Sequence, residues 1–160
     1  MTVIADTSPI HYAVAIGIAD ALFALYGKLV VPTGVFEELR DDGAPAALRH
    51  WLQRNSQRIE VRSVSDTAAP DVAHLDRGER EAILLAEQIG NSLLIIDERD
   101  GREEALRRGL RITGLLDVIR DAAHRGLIDF EDAIAKLKAT DFRLSPAVEA
   151  IVREQYLAGR

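Results

Sequence analysis

Short apolar runs alternate along the chain with longer stretches in which apolar residues recur every three or four positions. The first run, Val3-Ile4-Ala5, is apolar on both faces, which is typical of a strand covered on both sides in a parallel sheet. Runs of this kind predict five strands, over residues 2–5, 29–31, 59–64, 92–96 and 111–113.

The longer stretches have the spacing of amphipathic helices. They predict helices over residues 10–26, 35–41, 44–55, 76–89, 103–108, 115–124, 130–138 and 146–158. Gly17 is a weak point of the first of these. Strands that alternate with helices favour an α/β protein with a parallel sheet and helices on both faces.

Composition narrows the class of protein. A chain of 160 residues, 48% of them hydrophobic, suits one globular domain, although helices from about residue 129 could form an arm. Aromatic residues make up only 5%, so we expect an aliphatic core. The chain has no cysteine, which excludes a disulfide scaffold, a thiol nucleophile and a zinc–thiolate site.

The charge balance, 20 basic against 26 acidic residues, lacks the strongly basic footprint of many nucleic-acid-binding proteins. No segment approaches the roughly 20 apolar residues that cross a bilayer, so we expect no membrane association. No basic region precedes the first apolar run, so no signal peptide is evident and a cytoplasmic protein is expected.

Two aspartates follow predicted strands. Asp6 ends the first strand and Asp97 the fourth, and ligands of open parallel sheets bind beyond the carboxyl ends of the strands. Two carboxylates at one edge repel each other unless a cation lies between them, and Mg²⁺ and Mn²⁺ take oxygen ligands of this kind. The alternative is that each aspartate caps a helix.

Two helices add acidic candidates with structural alternatives. Helical spacing turns Glu38 toward the core edge and its neighbour Glu37 toward water, although both could be solvated. Glu79 lies on an apolar stripe, but Asp76 and Glu79 also nearly match a capping box. Glu81 lies on a mixed face of the same helix.

The sequence contains no other catalytic motif that could explain an activity: it has no HExxH, phosphate-binding loop or serine nucleophile elbow. The four candidates come from four separate segments: Asp6, Glu38, Glu79 and Asp97. An all-carboxylate magnesium site suits phosphoryl chemistry without a side-chain nucleophile.

Four stretches carry a family resemblance. They are ADTSP at 5–9, VVPTGVFEEL at 30–39, LDRGEREAILLA at 75–86 and LLIIDERDGREEALRRGLRITG at 93–114. In this order the chain resembles PIN-domain proteins, in particular a prokaryotic subfamily whose members open with D-T-S-P. The resemblance implies a three-layer α/β/α fold with a central parallel sheet of about five strands.

The resemblance also implies a Mg²⁺- or Mn²⁺-dependent endoribonuclease that acts on RNA as the toxin of a toxin–antitoxin pair. Its partners would be a small cognate antitoxin protein and a second copy of the chain. The alternative is a catalytically weak or inactive PIN-fold module that binds a protein or RNA.

Residue by residue, the resemblance assigns the catalytic and metal-binding roles to Asp6, Glu38, Glu79 and Asp97. An ungapped alignment would instead take Glu81, with Asp100 sharing the last position. Thr7 or Ser8 would add a hydroxyl near the metal, and Arg99 and Arg102 are candidate contacts to RNA phosphates.

The sequence departs from the family after DTSP, where Ile10-His11-Tyr12 replaces aliphatic residues. Two interpretations of His11 stay open: a proton carrier or phosphate contact, or a side chain that only packs or faces solvent. The apolar residues of the first helices are either core or a surface for a dimer or antitoxin. They are Ile16, Ile18 and Leu22.

Overall fold

A five-stranded sheet, parallel in every pairing, runs through the middle of the computed structural model, which describes residues 1–65 and 72–159. The strands are β1 (Thr2–Ala5), β2 (Leu29–Pro32), β3 (Ile59–Arg62), β4 (Ser92–Ile95) and β5 (Arg111–Thr113). Their spatial order is β3-β2-β1-β4-β5, so the first strand of the chain lies in the centre.

Nine α-helices connect and cover the strands within the described residues. They are α1 (Thr7–Ala15), α2 (Asp20–Tyr26), α3 (Thr33–Arg40), α4 (Ala46–Arg54), α5 (Arg77–Ile89), α6 (Arg99–Arg107), α7 (Leu115–His124), α8 (Phe130–Lys138) and α9 (Pro146–Ala158). A short 3₁₀ turn, Ser56–Arg58, precedes β3. None of the helices in this described part is long and apolar enough to cross a membrane.

The two faces of the sheet carry separate hydrophobic clusters. Val3 and Ala5 of β1 belong to the cluster under α1–α4 and α7–α9. Ile4 belongs to the cluster with α5 and α6, which includes Ile83 and Leu94. Because successive side chains of a strand point to opposite faces, β1 is covered on both sides. The predicted three-layer α/β/α fold is confirmed.

The predicted continuous helix over residues 10–26 is wrong, because the chain breaks at Gly17. Gly17 has φ +79°, a left-handed conformation that glycine adopts without steric cost. Its N–H bonds to the Val14 carbonyl, and the Ile18 N–H bonds to the Ala13 carbonyl at 2.9 Å. These two bonds form a Schellman ending for α1.

The apolar side chains near this break belong to the core. Ile16, Ile18 and Leu22 are 4%, 9% and 1% exposed and pack in the first cluster. Their use as a dimer or antitoxin surface is therefore wrong, since a partner could not reach them.

The last two helices pack on the same face of the sheet. Phe130 and Leu137 of α8 and Val152 of α9 are buried in the first cluster, and α9 runs against α7. Each helix has a side-chain cap, with Asp129 accepting from the Asp132 N–H at 2.8 Å and Ser145 accepting from the Val148 N–H.

Candidate active site at the carboxyl edge of the sheet

Asp6 lies where β1 passes into α1. Its main-chain N–H bonds to the Ile95 carbonyl at 3.0 Å, which ties Asp6 to the end of β4. The residue is only 3% exposed. Burial raises the pKa of Asp6 to about 7, and repulsion from Asp76, Glu38 and Asp97 adds to the rise, while a bond from the Thr7 backbone opposes it.

Glu38 approaches this edge from α3. It is an exposed residue, but its carboxylate accepts a hydrogen bond from Thr7 Oγ1 at 2.6 Å and another from the Gly78 backbone N–H. Partial burial raises the pKa of Glu38 and repulsion from Asp76 adds to the rise, although both hydrogen bonds favour the ionised form. The predicted hydroxyl of Thr7 thus orients a carboxylate.

Asp76 and Glu79 form a carboxyl pair at the start of α5. Asp76 caps the helix, accepting from the Glu79 backbone N–H at 2.8 Å. The Glu79 side chain is 8% exposed and shares a hydrogen bond with the Asp76 carboxylate. Burial, the hydrogen bond with Asp76 and repulsion from Asp76 and Asp6 raise the pKa of Glu79 well above its usual range.

Asp97 follows β4 by two residues and faces the start of α7. Its Oδ1 accepts from the Leu115 N–H at 3.0 Å, while Oδ2 is buried with no hydrogen-bond partner within the described residues. Burial raises the pKa of Asp97 to about 6, against the opposing effects of the Leu115 N–H and Arg102. A buried carboxylate oxygen without a partner is costly in a protein that holds nothing else there.

Glycines make room for three of these carboxylates. A Cβ on Gly78 would lie 2.6 Å from Glu38 Oε1, one on Gly101 would lie 2.8 Å from Glu79 Oε2, and one on Gly114 would lie 2.6 Å from Asp97 Oδ1. Any side chain at these positions would therefore displace an acidic group of the site.

The structure places Asp6 within electrostatic range of Glu38, Asp76 and Asp97, and Glu79 within range of Asp76 and Asp6. The sequence analysis did not include Asp76 among the candidate site residues, because it interpreted Asp76 only as a helix cap. The same capping box could have indicated that Asp76 lies beside Glu79, since it places side chains three residues apart at one end of a helix.

Glu81 lies elsewhere and has a structural environment. It is 3% exposed, accepts from the Gly34 N–H at 2.9 Å and pairs with Arg77 Nε at 2.7 Å. The bond from Gly34 ties the start of α3 to α5, and both carboxylate oxygens of Glu81 accept from protein donors.

The remaining acidic and hydroxyl candidates do not join the cluster. Asp100 is exposed and lines a shallow groove with His74 and Glu103. The Ser8 hydroxyl makes no hydrogen bond to any residue of ranges 1–65 and 72–159, and it is half-buried.

The two candidate phosphate contacts differ. Arg99 pairs with Glu103 at 3.1 Å, and its side chain is 89% exposed. Arg102 donates from Nη1 to the Ile96 carbonyl at 2.8 Å and forms no ion pair with the residues that the structure describes. Arg102 also lies within electrostatic range of Asp97.

His11 contacts the ring of Tyr12 edge-on, with the centroids 4.9 Å apart. The adjacent Tyr12 donates to Asp141 Oδ1 at 2.7 Å, which joins α1 to the loop between α8 and α9. Tyr12, one of the residues that depart from the family pattern after DTSP, therefore forms a hydrogen bond to a distant segment of the chain.

The donor set fits a hard divalent cation. Burial and mutual repulsion oppose the ionisation of its carboxylates, and Asp97 Oδ2 has no hydrogen-bond partner among the described residues. No three acidic or histidine side chains of ranges 1–65 and 72–159 converge into a complete ligand set. A Mg²⁺ ion would need only one or two of these carboxylates, because it keeps several waters.

A parallel α/β/α fold with acidic residues at its carboxyl edge places the chain in the class of nuclease-like folds. A family model described as a PIN domain, DUF3368, matches residues 2–156, and the chain belongs to the PIN-domain family. PIN domains are generally nucleases and typically use divalent metal ions.

A solved structure has the same fold. It is a PilT N-terminus domain protein, SSO1118, from the hyperthermophilic archaeon Sulfolobus solfataricus P2. The match has a TM-score of 0.53 and 21% identity, and covers 74% of this chain and 90% of that one. Similarity at this level concerns the fold alone. No curated protein matches the sequence.

Proposed function

We propose that the protein is a metal-dependent endoribonuclease that hydrolyses phosphodiester bonds of RNA. The observation that carries this proposal is the meeting of Asp6, Glu38, Asp76 and Glu79 at one sheet edge, with raised pKa values at Asp6, Glu38 and Glu79. A protein keeps mutually repelling buried carboxylates at a functional site more often than for stability.

The candidate ligands are Asp6, Glu38, Glu79 and Asp97, of which one or two would bind the ion directly. A bound Mg²⁺ or Mn²⁺ would supply charge neutralisation at the phosphate and activation of water for hydrolysis.

The protein's own groups position the carboxylates. Asp6 and Asp97 are fixed by main-chain bonds of the strand ends and of α7, so they move little. Thr7 holds Glu38 through its hydroxyl, and Asp76 holds Glu79 through a side-chain hydrogen bond. A bound cation would favour the ionised form of this carboxyl pair.

The test is cleavage of RNA by the purified chain with Mg²⁺, with Mn²⁺ and with chelator. Asp6→Asn and Asp97→Asn should each abolish metal-dependent cleavage while the far-ultraviolet circular dichroism is retained. Asp42→Asn is the matched control, because Asp42 is an exposed aspartate that forms no hydrogen bond or ion pair with the described residues. Cleavage by either site variant at the wild-type rate would remove the assignment.

We further propose that the enzyme is a toxin, masked in the cell by a small antitoxin, and that it forms a homodimer. The support is the sequence resemblance to toxin members of the family. Co-expression with the neighbouring open reading frame should yield a complex that does not cut RNA, and light scattering gives the mass of each species. Expression of the wild type alone should stop growth, whereas Asp6→Asn should not.

A protein that binds a partner without cutting is the second candidate. Its support is the net charge of −6 together with the ion pairing of most arginines near the site, such as Arg99 with Glu103. Absence of both cleavage and metal binding in the purified chain would favour it.

A further inference from the structure

A groove of about 380 Å³ opens beside Asp97, between the start of α7, the loop before α9, and α9 itself. We call it the Asp97 groove. Its main lining residues are Asp97, Arg102, Phe142, Arg143, Val148 and Ile151. It shares Asp97 with the carboxylate cluster, so an occupant would lie directly next to the proposed cleavage site.

Two arginines line the groove, Arg102 and Arg143, and neither forms an ion pair with residues of the described parts of the chain. Arg102 lies within electrostatic range of Asp97, and the second acid of the groove, Asp117, is paired with Arg120 at 3.2 Å. Arg143 is exposed, so its positive charge favours an anionic occupant in a chain of net charge −6.

Part of the groove lining is apolar. Val148 and Ile151 of α9 are 46% and 55% exposed, and Phe142 also lines the groove. Apolar side chains beside an exposed arginine suit a ligand that is anionic at one end and flat and apolar at the other. A nucleotide of single-stranded RNA has this character.

The loop that carries Phe142 and Arg143 is held in place. Tyr12 donates to Asp141 at 2.7 Å and contacts the Phe142 ring edge-on, with centroids 5.1 Å apart. Thr140 Oγ1 donates to the Leu137 carbonyl at 2.6 Å and accepts from the Phe142 N–H at 3.2 Å. A groove wall fixed before binding loses less conformational entropy when a ligand arrives.

We propose that the Asp97 groove binds the nucleotide next to the scissile phosphate of a single-stranded RNA. Arg102 and Arg143 contact the phosphate, and the base lies against Phe142, Val148 and Ile151. This assignment rests on the proposed ribonuclease function, which it extends to substrate positioning.

The first test measures fluorescence anisotropy of a labelled single-stranded RNA in the Asp6→Asn background, which prevents cleavage during titration. Arg143→Ala should weaken binding about tenfold and lower the slope of log K against log salt by about one. Arg54→Ala, an exposed arginine of α4 without an ion pair in the described residues, should change neither. Equal affinities for the two variants would overturn the proposal.

The second test uses two exposed residues of α9. Ile151→Asp places a negative charge in the groove, whereas Leu157→Asp, at a side chain that is 53% exposed, places it outside. Only Ile151→Asp should weaken RNA binding and raise the KM for cleavage. Melting temperatures equal to that of the wild type show that both variants fold.

The outcomes separate this proposal from the proposed function. If the wild type cuts RNA and the groove variants bind like their controls, the groove assignment fails and the ribonuclease stands. If nothing is cut but Arg143→Ala and Ile151→Asp still lose RNA binding, the ribonuclease fails and the groove stands. Loss of antitoxin binding with unchanged RNA affinity would make the groove a protein interface and overturn the proposal.

Discussion

Asp6 is a buried aspartate held among other carboxylates, and its charge is unfavourable in the absence of a cation. Burial raises its pKa from 3.8 to about 7, so ionised Asp6 destabilises the folded state near neutral pH. Asparagine has nearly the same shape and can still accept the bond from the Thr7 backbone.

Asp6→Asn should therefore make the metal-free protein more stable while it abolishes cleavage. We expect a gain of about 2 kcal/mol in the free energy of unfolding at about pH 8, from the cost of ionising a buried carboxyl. Urea denaturation in chelator measures the gain. A variant that is clearly less stable than the wild type under these conditions would contradict the expectation.

Glu79 and Glu81 lie two residues apart on α5, yet they should respond differently to substitution. Glu81→Ala leaves the buried Gly34 N–H without an acceptor, which should cost about 1–3 kcal/mol of stability. Glu79→Ala should cost less stability and remove metal-dependent cleavage. Thermal denaturation and the cleavage assay, run on both variants, compare the two. A stable Glu81→Ala protein without activity, or an active Glu79→Ala protein, would contradict the structural role of Glu81 and the metal-binding role of Glu79.

Sequence reasoning could place some acidic side chains and not others. Asp6 and Asp97 were predictable at the sheet edge, because each directly follows an apolar strand. The environment of Glu81 was not predictable, since its partner Gly34 is 47 positions away and contributes only a backbone N–H. Whether the clustered carboxylates are catalytic stays a prediction.

At the level of elements, the sequence pattern predicted most strands and helices because apolar spacing determines which face is buried. The predictions for α8 and α9 agree with the structure at both ends, where Asp129 and Ser145 provide caps. The start of α6 was predicted four residues late, since its first turn is polar and is held by backbone bonds such as Arg102 N–H to the Glu98 carbonyl.

The first turn of α5 offers an element-level test of the site. Gly78→Ala places a Cβ where Glu38 Oε1 now lies, so the flexible Glu38 carboxylate must move. Because alanine favours helix by about 1 kcal/mol over glycine, stability should not fall, while cleavage should drop at least about tenfold. Gln88→Ala, an exposed site on the same helix, should leave cleavage unchanged. Full activity of Gly78→Ala would show that the position of Glu38 is unimportant.

The raised pKa values of the cluster make the stability of the whole molecule depend on pH. Between about pH 4 and 7 the folded protein keeps protons on Asp6 and Asp97 that the unfolded chain has lost. Stability of the metal-free protein should thus fall as pH rises through this range. Glu131 and Glu149 have lowered pKa values, so their ionisation makes the folded state more stable as pH rises, but only at lower pH than this range.

We expect the melting temperature in chelator to be higher near pH 5 than near pH 8, by about 5 °C. The difference should shrink in Asp6→Asn, because one of the responsible groups no longer titrates. A melting temperature that is constant or increases over this interval would contradict the pKa shifts.

A bound metal ion should offset the repulsion among the carboxylates and so increase the stability of the folded protein. A ligand that binds only the folded state adds about 2.7 kcal/mol at a concentration one hundred times its Kd. Millimolar Mn²⁺ should therefore raise the melting temperature over that in chelator. The shift should disappear in Asp97→Asn and persist in Asp42→Asn. An unchanged wild-type melting temperature would favour the binding module over the enzyme.

The central position of β1 also bears on how the protein is made. The ribosome synthesises this strand first, but its neighbour β4 follows about ninety residues later, with Thr2 in register with Ser92. Pairing across such separations is slow to form. Asp6 and Asp97 can meet only after that pairing, so a ribonuclease built in this way would stay inactive on the ribosome until β4 has emerged.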